Sequence, residues 1–193
     1  ERSFFGSEPN PGIDADPRIH VLLENLNQNA GGYFNPNDLF SRLRDPDSNE
    51  LELINLNARH VLIGRAKSFL AHEFQHLISS SQKELRLNRA DEVWLNELRS
   101  EYATTLVGYN SPFEGSNLQA RVQGFLKKPS DSLTEWTNQS EDYGVVMMFA
   151  QYLADHYGEG VLKLALASTQ TGIPSVEDAL AQVGSAEKFA DIF

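Results

Sequence analysis

The run His72-Glu73-Phe74-Gln75-His76 constrains this chain more than any other segment. On a helix, positions four apart share a face, so both imidazoles can point at one metal ion. Glu73 stands beside the first histidine, where its carboxylate can reach a water on that ion and take its proton. A catalytic zinc takes three protein ligands and keeps one position open. The histidine helix therefore needs a packed neighbour that supplies a third donor.

Such a neighbour lies close by in sequence. Val93, Trp94, Leu98 and Leu106 recur at roughly helical spacing after Asp91 and Glu92, which predicts a second helix. Glu92, Glu97 and Glu101 compete for the third position. Glu97 and Glu101 are one turn apart on one face. One can bind the ion while the other accepts a hydrogen bond from a ligand imidazole and fixes its orientation.

These residues carry a family likeness. H-E-x-x-H followed by Asn96-Glu97-Leu98-Arg99-Ser100-Glu101 resembles the gluzincin metallopeptidases, and Trp94-Leu95-Asn96-Glu97 resembles the zinc helix of the M1 aminopeptidases. The whole pattern is most similar to the hyicolysin-like peptidases of family M30. It comprises Gly31-Gly32-Tyr33-Phe34-Asn35-Pro36, a strand, H-E-F-Q-H, W-L-N-E, and Tyr143-Gly144 heading a long apolar helix. The likeness spans roughly residues 12–160. It implies a zincin-like fold, Zn²⁺ held by His72, His76 and Glu97, Glu73 as general base, and Glu101 behind a zinc histidine. In this pattern Glu97 prevails over Glu92 and Glu101. The oxyanion donor is then a Tyr or His from the C-terminal part. Tyr143 is the first candidate and His156 the second, with Tyr102 and Tyr109 behind them. One position departs from the pattern. Leu98 stands where W-L-N-E-G enzymes have glycine, and the expectation is a narrower space beside the ligand carboxylate.

Composition excludes several alternatives. There is no cysteine, so disulfides, thiolate zinc ligands and thiol catalysis are absent. The net charge of −11 repels phosphate backbones and argues against nucleic acid. No apolar run approaches the roughly 20 residues that span a bilayer. Lack of cysteine together with the family likeness points to an extracellular or cell-surface protein of bacterial type. The chain begins at Glu1 without Met, and any signal or pro-segment would lie upstream. Asp14-Ala15-Asp16 and Asp45-Pro46-Asp47 cluster oxygens that suit a structural Ca²⁺, but turn chemistry is the better account of both.

The chain reads as one catalytic domain, 1–193, of α+β class. A small N-terminal mixed sheet and the zinc helix occupy 1–81, and a mostly helical subdomain occupies 82–193. Strands are expected at Ile19–Leu23 and Leu51–Asn57, a loop at Asn27–Pro36, and the zinc helix from about Ala58 to Ser80, capped by Asn57 and closed by Ser79-Ser80-Ser81. Further helices are expected over Asn117–Lys127, Tyr143–Tyr157, Val161–Ala167 and Val176–Val183. His20 and His60 read as structural. Gly31-Gly32 reads equally as a cleft rim or a turn. The resulting expectation is an endopeptidase acting on polypeptides. The alternatives are an aminopeptidase-like exopeptidase and a silent zincin-fold binding domain.

Overall fold

The computed structural model describes residues 1–27, 30–63 and 65–193. In chain order it runs α1 (Arg2–Phe5), β1 (His20–Glu24), β2 (Gly32–Phe34), β3 (Leu53–Asn57), α2 (Ala58–Leu62), α3 (Ala66–Ser79), α4 (Val93–Leu106), α5 (Asn117–Lys127), α6 (Ser140–Tyr157), α7 (Gly160–Ala167), α8 (Gly172–Gln182) and α9 (Phe189–Ile192). The class is α+β, with strands confined to the first third and helices filling the rest.

The sheet has the order β1-β3-β2, with β1 parallel and β2 antiparallel to β3. Central β3 is buried along its whole length, including Asn55 and Asn57. Burying an amide is tolerable only with partners. The Asn57 Nδ2 donates to the carbonyls of Asn27 and Ala30 at 3.1 and 2.9 Å. Its Oδ1 accepts from the Arg59 amide at 3.2 Å. Asn57 therefore caps α2 rather than the histidine helix.

Three expectations need correction. Gly32–Phe34, expected as loop, is the edge strand β2. Three residues headed by paired glycines carry little local strand signal, and pairing with β3 decides the matter. Gln28 and Asn29 of that expected loop lie outside the described residues. The expected single helix over 58–80 is two helices, α2 and α3, with Ile63 at the C-cap of α2 and Arg65 at the N-cap of α3. Gly64 between them lies outside the described residues. His60 is thus on a separate helix from His76. Finally, Ser79-Ser80-Ser81 does not end α3, which continues into a π-helical turn over Ser80–Leu85. That turn buries Lys83, whose Nζ donates to the carbonyls of Ala165 and Ser168 at 3.3 and 2.7 Å. A tertiary contact at the end of α7 thereby holds residues that look like polar connector in sequence.

Helix α3 is the hinge of the packing. Leu77 faces a small core with Leu39, Ile54 and Leu56 under the sheet, and Ile78 faces the larger core of the helical part. Phe74 packs against both. Helix α4 adds Trp94, Leu95, Leu98 and Tyr102 to the larger core. Each of the aliphatic side chains contributes roughly 2 kcal/mol by burial. Leu98 is 0% exposed and faces that core, away from the cleft. The expected narrowing beside Glu97 therefore does not arise, because one residue along the helix is a turn of about 100°, which sends position 98 into the core.

Helices α5 and α6 meet at two glycines. A Cβ on Gly144 would lie 2.4 Å from the Phe125 backbone nitrogen and 2.9 Å from the Arg121 carbonyl oxygen. One on Gly124 would lie 2.6 Å from the Ser140 carbonyl oxygen. The two backbones are in contact, which side chains larger than hydrogen would prevent. The N-terminus of α6 is fixed by Asp142, whose Oδ2 accepts from the amides of Thr137 and Gln139 and from the Thr137 hydroxyl, each at 2.9 Å.

Candidate metal centre and active-site cleft

Packing of α3 on α4 brings three donors together. His72, His76 and Glu97 each offer an atom within 4.8 Å of the others. The two Nε2 atoms are 3.1 Å apart. Glu97 Oε2 lies 3.2 Å from His72 Nε2, and Glu97 Oε1 lies 3.6 Å from His76 Nε2. Among the described residues no other group of three His, Asp or Glu side chains meets in this way. At Asp14-Ala15-Asp16 and at Asp45-Pro46-Asp47 the first aspartate accepts from the amide of the second, at 2.9 and 3.1 Å, which is turn chemistry.

The donor set suits a cation. Both Nδ1 atoms are already engaged, His72 with Glu101 Oε1 at 3.3 Å and His76 with the Ser100 hydroxyl at 3.1 Å. That leaves both Nε2 atoms facing the centre. Glu97 Oε2 is buried there without a hydrogen bond. A buried carboxylate oxygen held only by a histidine contact without hydrogen-bond geometry is better completed by an ion. Two imidazoles and one carboxylate match the N and O donors that zinc takes. Burial opposes ionisation of Glu97, but the two histidines hold its carboxyl well below the usual range.

Glu101 does not pair with Arg99, whose guanidinium instead donates to Asp91 at 2.7 Å on the far side of α4. Glu101 is 0% exposed and accepts three hydrogen bonds from two partners besides His72. Arg121 donates to both its oxygens at 2.8 and 2.7 Å, and Asn117 donates to Oε2 at 2.7 Å. Burial raises its pKa, and Arg121 and His72 bring it down to about 2. A permanently ionised Glu101 fixes the His72 ring with Nδ1 as donor.

A cleft of about 680 Å³ opens over this centre. His72, Glu73, Glu101, Arg121 and Tyr143 line it, with Gly31 and Gly32 of the β2 edge opposite. Gly31-Gly32 is therefore a cleft rim. A Cβ at Gly31 would strike the Phe69 ring at 2.1 Å, and one at Gly32 would strike the Asn55 carbonyl oxygen at 2.6 Å. Glu73 is buried, and burial raises its pKa against the pull of His72 and His76.

Of the four oxyanion candidates, the structure brings only Tyr143 to the cleft beside the metal ligands. Its hydroxyl donates to Asn138 Oδ1 at 2.8 Å. Its ring lies 4.5 Å from the Arg121 guanidinium carbon and 4.9 Å, edge-on, from the Trp136 ring. Burial and then Glu97 raise the pKa of the phenol, although Arg121 opposes them, so it stays protonated. His156 sits at the exposed end of α6 with Nδ1 donating to the Tyr152 carbonyl. Tyr102 is buried in the core and donates to Glu159, and Tyr109 lies in a side pocket. Arg121, Asn117 and Asn138 were invisible to sequence reasoning. They act across 16 to 20 residues or from an irregular segment, where no periodicity marks them.

A neutral metalloprotease, ShpI, from Staphylococcus hyicus is 25% identical over 198 aligned positions. The resemblance to hyicolysin-like metallopeptidases is borne out. The alignment takes in 87% of this chain but 42% of that protein, so the chain spans less than half of the relative's length. No family model matches the chain. Among the described residues no helix is long and apolar enough to cross a membrane.

Proposed function

We propose that residues 1–193 form the catalytic domain of a zincin-fold zinc metalloendopeptidase, built from an N-terminal part (1–81) bearing the histidine helix and a helical part (82–193) that closes the cleft. The observation that carries this reading is the convergence of His72 Nε2, His76 Nε2 and a buried Glu97 carboxylate oxygen, with His72 and buried Glu73 lining the cleft. The metalloprotease relative supports it.

His72, His76 and Glu97 would hold the zinc, which when bound supplies Lewis acidity toward a carbonyl oxygen and toward water. Glu73 accepts the proton of the attacking water as its oxygen adds to the scissile carbonyl carbon. The raised pKa of Glu73 suits it to give that proton to the departing amine nitrogen as the C–N bond breaks. Tyr143, protonated, turns its hydroxyl from Asn138 Oδ1 to donate its one proton to the oxygen on which negative charge develops. One such donor is worth about 3–4 kcal/mol in mutagenesis of other enzymes. Glu101 and Arg121 orient His72, and Ser100 orients His76. The β2 edge offers main-chain groups that align an extended peptide, which favours internal bonds. The bacterial metalloprotease relative supports an extracellular, bacterial setting.

The test is cleavage of unfolded casein by this chain and by Glu73→Ala, each with zinc and with chelator. Fragments from the zinc-loaded unsubstituted chain alone are expected. Zinc binding at one ion per chain with no cleavage by either protein would overturn the enzymatic reading in favour of a binding domain. Cleavage of blocked peptides at internal bonds separates an endopeptidase from an aminopeptidase.

A further inference from the structure

We infer that the cleft continues into a side pocket that selects a carboxylate side chain of the substrate, Asp or Glu, two to three residues from the scissile bond. This rests on the peptidase reading above. A second cavity of about 270 Å³ adjoins the main cleft, with Ser68, Phe69 and Asn117 lining both. Arg65 and Lys67, both exposed, line it. Neither side chain makes a hydrogen bond or ion pair among the described residues, although the chain holds 27 acidic side chains against 16 basic ones. No carboxylate lines the pocket; Glu114, in the adjacent loop, lies outside it. Two unpaired cations beside a recess without acids, on an otherwise acidic protein, make a local site for negative charge.

The placement follows from helix geometry. Arg65 precedes His72 by seven residues, about 10 Å along the axis of α3. An extended peptide covers that distance in about three residues. Phe69 and Tyr109 line the recess together with the two cations. Aromatic walls pack the methylenes of a Glu side chain while its carboxylate reaches Arg65 or Lys67. Partly exposed ion pairs are individually weak, so two cations acting together give about a five- to tenfold preference.

The test uses two acetylated, amidated, fluorescent series of one casein-derived peptide that scan either Glu or Lys through each of its positions. Blocked termini exclude a free C-terminal carboxylate as the recognised group, and a matched series with a free C-terminus reports on that source. Binding is measured to zinc-loaded Glu73→Gln, and cleavage to the unsubstituted chain. Glu two or three residues from the cleaved bond is expected to tighten binding and raise kcat/KM about five- to tenfold over Lys. The ratio should invert in Arg65→Glu/Lys67→Glu and fall with added salt. Arg65→Lys, which keeps the charge, should keep the preference. A flat profile in binding overturns the inference whether or not cleavage occurs. So does a Glu preference that survives charge reversal, or a preference confined to peptides with free C-termini. Absence of casein cleavage with Glu-selective binding intact would count against the peptidase reading alone.

Discussion

Replacing Gly144 by alanine is expected to destabilise the fold and to disable the site together, although alanine is the better helix former. In an isolated helix the exchange would gain about 1 kcal/mol. Here the new Cβ would stand 2.4 Å from the Phe125 nitrogen, 2.9 Å from the Arg121 carbonyl oxygen and 2.9 Å from the Gly124 carbonyl carbon. Ordinary carbon contacts begin near 3.5 Å, so α5 and α6 must part by about 1 Å. All three obstacles are backbone atoms, and no rotamer change relieves them. Overpacking of this kind costs about 1–3 kcal/mol. Parting α5 from α6 also strains the bidentate Arg121–Glu101 pair, which is anchored on α4. Full rupture of a buried pair costs about 3–5 kcal/mol, of which a fraction is lost here. The net loss is about 2–4 kcal/mol, or roughly 5–15 °C in Tm for a chain of this size. Thermal scans of the zinc-loaded protein measure it, with casein cleavage alongside. Gly160→Ala serves as the control, because no atom lies within 4 Å of its added Cβ. A Gly144→Ala protein that melts at or above the unsubstituted chain, with full activity, would refute the close-contact argument.

Two further outcomes follow from the same geometry. Glu101→Gln keeps the shape of the side chain but removes the charge that His72 Nδ1 and Arg121 share, and zinc affinity should fall about 10–100-fold in chelator competition. An unchanged affinity would show that His72 is oriented without it. Asp142→Asn should cost about 1–2 kcal/mol in urea unfolding of the metal-free chain at neutral pH, because it weakens the cap on α6. Burial opposes ionisation of Asp142, yet bonds from Gln139 and Thr137 prevail and lower its pKa below 3.8. Its contribution is therefore present above pH 3.8 and lost as pH falls through the lower folded value. The gap between the two proteins should close on acidification, and a gap that widens would contradict the sign.

The candidate metal ligands were legible because helical spacing is a local property. His72 and His76 share a face by covalent geometry alone, and the run from Asn96 to Glu101 sets Glu97 and Glu101 one turn apart. Tyr143 was legible only as the head of an apolar helix; its selection over His156, Tyr102 and Tyr109 required knowing which ends of which helices meet. The edge strand at Gly32–Phe34 and the π-helical turn at Ser80–Leu85 carry no local signal, since pairing to β3 and the carbonyls beyond α7 create them. Position 98 gave the opposite lesson. The family pattern set it beside the ligand carboxylate, whereas one residue along a helix is a turn of about 100°, enough to send Leu98 into the core. The sequence by itself determined the donors, their spacing and the base beside them, because those depend on one helix at a time. The tertiary structure alone decided the cleft, the Arg121 clamp and the side pocket, because each is made by side chains far apart in the chain, and two glycines at a helix crossing let them meet.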